Sequence, residues 1–216
     1  MDLHSRDVKQ DVRELGALLG DVLAEQTSEG AFETVEDIRT TAIDYRKGEQ
    51  ESRQELDRIL DALSPEGESV VARAFTTYFE LINLAEERER VRALRRGSEE
   101  GSLDDSVEAA VETLADQGAD AAEVEHVLED VLIQPTFTAH PTEARRKTVK
   151  SKLRSVANLL EPLDERRLTS DEQADLVDRL ESEVVSLWQT KQVRDRAPEP
   201  IDEARNVQWY LENTLF

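Results

Sequence analysis

The sequence predicts a mainly α-helical chain broken once by a short strand. Apolar residues recur at helical spacing along most of the 216 positions, and Gly and Pro are scarce at 8 and 6. The helical pattern stops at "TFTA", residues 136–139, a run of strand formers that leads directly into His140-Pro141. A helical pattern resumes behind it.

The elements follow in order. In "VRELGALLGDVL" the residues Val12, Leu15, Leu18, Leu19, Val22 and Leu23 share one helix face. "AFETVEDIRTTAIDY" offers Phe32, Val35, Ile38, Ala42 and Tyr45, and "ELDRILDALS" offers Leu56, Ile59, Leu60 and Leu63, so both read as amphipathic helices on a common core. From Val70 to Leu94 the stripe widens to include Val71, Ala74, Phe75, Tyr78, Phe79, Ile82 and Leu84, which predicts a long helix buried on more than one side. Gly97, after "RERVRALRR", is expected to cap it, with the Arg cluster facing the negative end of its dipole.

"GSEEGSLDD" reads as an exposed acidic linker, with Ser102 and Asp105 as capping residues for a helix that carries Val107, Val111 and Leu114. Asp120 and Glu123 have the spacing of a capping box ahead of "EVEHVLEDVL". His126 there reads as an ordinary surface or boundary histidine, and His4 lies in a terminus expected to fray. Three helical stretches follow the strand: "TEARRKTVKSKLRSVANLLEPLD", "SDEQADLVDRLESEVVSLWQTKQVRD" and, after "APEP", "IDEARNVQWYLENTL". The last reaches Phe216 without a Gly, Asn or Pro stop signal, the pattern expected of a chain cut in mid-fold.

Composition narrows the function classes. The net charge of −22, from 49 Asp and Glu against 27 Lys and Arg, repels nucleic acid and anionic membrane, and neither is expected as a partner. Cysteine is absent, and the first residues have neither a basic nor an apolar leader pattern, so a cytoplasmic protein is expected. The acidic excess, with few Lys among the basic residues, fits a protein adapted to high salt, where screening within about 3 Å at 1 M removes self-repulsion.

The chemistry concentrates at "TFTAHPTEARRKT". A residue before proline is pushed toward the extended region, and proline favours the first position of a helix, so His140 is expected at a strand's carboxyl end with Pro141 opening the helix. Barrels and open α/β sheets keep reactive groups there. Arg145, Arg146 and Lys147 stand near the helix start, against a macrodipole preference of about 0.3–1 kcal/mol per charge. Either they pair with Glu143 and the acidic surface, or an anion completes the site. His140 is either a hydrogen-bonded strand-end histidine or a catalytic one.

"TAHPTEARRKT" resembles the histidine motif of bacterial-type phosphoenolpyruvate carboxylase, in which TAHPTE precedes two basic residues and a Thr. "LGALLGDVL", "ETVEDIR" and "VVARAFTTYFELINLAEE" are similar to that family's amino-terminal helices, and "LWQTKQVRDRAPEPIDEARNVQWYLENTLF" to a later segment, so the likeness covers the whole chain. The resemblance implies a lyase that makes oxaloacetate and phosphate from phosphoenolpyruvate and bicarbonate with Mg²⁺ or Mn²⁺, in a homotetramer. It places the catalytic histidine on His140 and substrate or anion binding on Arg146, Lys147 and Arg194. Many members carry Arg-Arg where this chain has Arg146-Lys147, and Lys lacks the bidentate fork, which leaves a sugar-phosphate activator role open. Thr138 and Thr142 either orient the histidine or stabilise the turn; Trp188 reads as core.

The implied fold is an amino-terminal helical region over 1–97, an acidic linker and helices over 98–134, and, from 135 to 216, the first strand and helices of a truncated TIM-type barrel. The metal ligands of the family are expected outside this chain, which is then inactive alone. The competing reading is a free-standing helical interaction or regulatory module without catalysis.

Overall fold

Helix α1 (Val8–Gln26) begins where the sequence supplies a cap: the Asp7 carboxylate accepts a hydrogen bond from the Gln10 N–H at 2.8 Å. The computed structural model describes residues 6–49, 51–101, 103, 106–132, 134, 147–191 and 199–214. Helices α2 (Glu29–Arg46), α3 (Glu51–Asp61), α4 (Pro65–Glu100), α5 (Val107–Asp116), α6 (Ala121–Glu129), α7 (Lys147–Leu160), α8 (Pro162–Glu165), α9 (Ser170–Gln189) and α10 (Pro200–Thr214) follow. Among the described residues every regular element is helical. The strand expected over 136–139 lies outside them, as do Ser102 and Asp105.

The chain divides into two units: residues 1–89 with 145–194, and residues 90–144 with 195–216. In the first, one core gathers faces of α1, α2, α4, α7 and α9, while Tyr45, Leu60 and Phe79 of the expected stripes stay exposed. Leu15, Leu19, Val22 and Leu23 of α1 meet Val35 and Ile38 of α2, Val71, Ala74, Leu81, Leu84 and Ala85 of α4, Val149, Val156 and Leu160 of α7, and Leu176, Leu180, Val184 and Leu187 of α9. Trp188 completes it at 3% exposure, as the sequence predicts, with the Arg73 guanidinium 5.4 Å from its ring centre.

Short connections set the directions in this unit. Thr27 and Ser28 join α1 to α2, and the Ser28 hydroxyl caps α2 by accepting from Ala31 N–H at 3.2 Å. Helices α7 and α9 pack together, and Lys152 near the start of α7 pairs with Glu183 near the end of α9 at 3.2 Å, so the two run antiparallel. The Gln189 amide donates to Gln26 Oε1 at 2.7 Å, which brings the carboxyl ends of α1 and α9 together.

The long helix departs from expectation at its end. α4 runs through Gly97 to Glu100, and Gly97 is buried within it. A glycine terminates a helix where φ turns positive, and that residue is Gly101, at φ +63° with open space where a Cβ would stand. The first part of "GSEEGSLDD" is therefore helix, not linker.

In the second unit the observed cap of α5 is Ser106, whose hydroxyl accepts from Ala109 N–H at 3.0 Å. The predicted capping box at α6 is present: Asp120 accepts from Glu123 N–H, and Glu123 accepts from Asp120 N–H, both at 3.0 Å. His126 is exposed on α6, 4.0 Å from Glu129.

Candidate active site

The segment singled out by sequence bears on two described helix ends. His140, Arg146 and Arg194 lie outside the described residues, as do Thr138 and Thr142; Lys147 is the first residue of α7, and its side chain is not among those described. What the structure supplies is the scaffold on either side. The antiparallel pairing puts the start of α7 and the end of α9, at Gln189, at the same end of one helical hairpin. The chain enters this end from the histidine motif and leaves it toward Arg194.

The described start of α7 is rich in basic residues. The first described turn of α7 carries no acidic residue. Lys147, Lys150, Lys152 and Arg154 all fall within residues 147–154 of the sequence, and Lys152 is paired with Glu183 at 3.2 Å. Val149, 2% exposed, fixes the rotation of that turn on the core.

The other end of α7 is held by a buried charge network. Arg88 of α4 donates through Nη2 to the Leu160 carbonyl at 3.0 Å and to Asp164 Oδ2 at 2.6 Å, and through Nη1 to the Ala157 carbonyl at 3.5 Å. Its Nε lies 3.7 Å from Asp11 Oδ2, an ion pair beyond hydrogen-bond reach. Arg6 donates to the other oxygen of Asp11 at 2.9 and 3.1 Å. Burial opposes the charge on Arg6, but hydrogen bonds to Glu14 and Asp11 outweigh it and raise the guanidinium pKa.

The Arg cluster in "RERVRALRR" is thus structural at Arg88, but the carbonyls it serves belong to α7, not to its own helix. This network was missed in the sequence, although one signal was there. Asp11 sits four residues before Leu15, on the face that buries Leu15 and Leu19, and its side chain is fully buried. A carboxylate on a core face has to be paired.

Among the described residues no group of three or more His, Asp or Glu side chains converges to hold a metal ion, so these residues do not fit a metal centre.

The model of the family described as phosphoenolpyruvate carboxylase matches residues 8–216. Similar proteins include the phosphoenolpyruvate carboxylases of Roseiflexus castenholzii, 39% identical over 98% of this chain and 23% of that protein, and of Ralstonia nicotianae, 39% identical over 97% and 21%. That of Paraburkholderia xenovorans is 40% identical over 96% of this chain and 21% of its own length. The chain spans about a fifth of the length of these relatives.

Proposed function

The chain belongs to the phosphoenolpyruvate carboxylase family, and from that premise we propose that it is the amino-terminal part of an enzyme that forms oxaloacetate and phosphate from phosphoenolpyruvate and bicarbonate. The observation that carries the reading is the unbroken match over residues 8–216. The shared end of α7 and α9 supports it, because the segments bearing His140 and Arg194 are continuous in the chain with that one end.

In the proposed reaction a bicarbonate oxygen attacks the phosphorus of phosphoenolpyruvate, giving carboxyphosphate and the enolate of pyruvate. His140 takes the carboxyl proton of carboxyphosphate, whose C–O bond then breaks to CO₂ and phosphate; the enolate carbon captures CO₂, and the proton leaves with phosphate. An imidazole titrating near neutrality suits both halves of that transfer. Arg146, Lys147 and Arg194 hold the anionic groups of substrate and intermediate. Mg²⁺ or Mn²⁺ would supply Lewis-acid stabilisation of developing negative charge, and the described residues offer it no ligand set.

The acidic excess supports a working environment of high salt, and the proposed compartment is the cytoplasm. No helix among the described residues is long and apolar enough to cross a membrane.

The test is an assay on the native protein carrying this sequence, purified from its own cells, with oxaloacetate read by coupled NADH oxidation. Bicarbonate-dependent activity is expected, and His140→Asn should lower it about 10²- to 10⁴-fold. No activity in the wild type, or full activity in H140N, overturns the reading. The 216-residue chain by itself should release no phosphate from phosphoenolpyruvate.

A further inference from the structure

We propose that the groove between α1, α2 and α4 binds a small amphiphilic anion: a carboxylate carried on an apolar body about 10 Å long. The groove encloses about 480 Å³, within the range of small-molecule sites. Its apolar wall includes Val12, Leu23, Val35 and three aromatic rings, Phe32, Phe75 and Tyr78. Beside them Phe79 stands 57% exposed, its ring centre 5.9 Å from that of Tyr78 and 6.4 Å from that of Phe75.

The floor is open because α1 carries glycine at two positions one turn apart. A Cβ on Gly20 would lie 2.9 Å from Phe32 Cε2, and one on Gly16 would lie 3.4 Å from Tyr78 Cε2. From Arg13 to Gly20 the helix rises about 10 Å, which sets the length of the apolar body.

Charge sets the orientation. Lys9 and Arg13 border the groove near the start of α1, four residues apart on one edge, and among the described residues neither engages a carboxylate. They are the cations on the groove's rim that have no carboxylate partner among the described residues, whereas Arg39 is paired with Glu36. Further along α1 the rim turns acidic at Asp21. Glu36 is already taken by Arg39, whose Nε and Nη2 donate to its two oxygens at 2.9 and 2.7 Å. An anionic head therefore belongs at the Lys9 and Arg13 end, with the tail toward Phe32. The site is built from this chain's own residues and uses none of the groups placed in the proposed carboxylase reaction.

The experiment titrates this chain with decanoate at low ionic strength and follows the ring signals of Phe32, Phe75 and Tyr78 by NMR. Saturable shifts are expected with decanoate and none with acetate, while decyltrimethylammonium should bind about tenfold more weakly or worse. Lys9→Glu combined with Arg13→Glu should weaken decanoate by about tenfold, with the helical circular dichroism unchanged. Should that pair disturb the fold, Lys9→Gln with Arg13→Gln tests the same loss of charge. Equal affinity for the two amphiphiles, undiminished decanoate binding in the folded charge variants, or an absence of saturable shifts overturns the proposal.

Discussion

Arg88 and Asp164 meet at 2.6 Å with both side chains only 9% exposed, and the same guanidinium group reaches the last carbonyl of α7 at 3.0 Å. One side chain of α4 thus neutralises a buried acid, approaches a second at Asp11, and occupies a helix end that would otherwise lack a donor. The balance depends on all its members, because charges this far from water are tolerated only when compensated.

Removing Arg88 leaves Asp11 short of one cation and Asp164 and Leu160 short of a donor. Arg88→Ala should destabilise the fold by about 3–5 kcal/mol, read as a drop in the urea midpoint. Arg88→Lys keeps the charge but loses the planar fork that serves Asp164 and the two carbonyls together, so it should fall between wild type and the alanine variant. A wild-type midpoint in R88A would show that the network contributes little.

Glu172 closes the capping box of α9, accepting from the Thr169 N–H at 2.8 Å. Arg166, 2.9 Å away, and then the Thr169 bonds hold its carboxyl down at about 2 from an ordinary 4.5. A depressed carboxylate contributes stability above its unfolded pKa and loses it as pH falls through the folded one. Glu172→Gln keeps an acceptor for the cap but no charge. The stability gap between wild type and E172Q should therefore be constant above pH 4.5 and close between 4.5 and about 2. A gap that does not change across that window would remove Arg166 from the account.

Two helical glycines should respond differently to alanine. Gly30, in the first turn of α2, has nothing within 4 Å of an added Cβ, so Gly30→Ala should stabilise by up to about 1 kcal/mol through reduced backbone freedom. At Gly20 the same gain is opposed, because Phe32 has to move away from a Cβ 2.9 Å from its ring. G20A should be less stable than G30A by about 1 kcal/mol or more in parallel urea titrations.

Most of the first unit was readable from spacing. The stripes read in α1, α2 and α4 bury Leu19, Ile38 and Ala74 because a period of 3.6 is enough to choose a face, but the α4 stripe passed over Leu81, 1% exposed, and took in Phe79, which is 57% exposed. Gly97 misled because a glycine specifies only that a left-handed turn is permitted there. Gly101, four residues on, takes that conformation instead. Asp11 on a core face signalled that it needs a partner, but its partner was not readable: the network spans α1, α4 and α8, and no local pattern encodes which distant carboxylate a buried arginine meets. The histidine motif was legible as a motif, and the structure adds that the described start of α7, which follows it, shares one end of a helical hairpin with the end of α9, which leads toward Arg194.

The bond between Gln26 and Gln189 closes a loop of 163 residues, and the core cannot be completed without that closure. Bringing such ends together costs about 4–5 kcal/mol of chain entropy beyond a constant term. During synthesis at about 5–20 residues per second, α1 leaves the ribosome on the order of ten to thirty seconds before α9. Through that interval Leu15, Leu19 and Val22 have no α9 to cover them. Assembly of this core is therefore set by the arrival of its last helix, and the nascent chain is most exposed to aggregation and to chaperone capture just before α9 emerges.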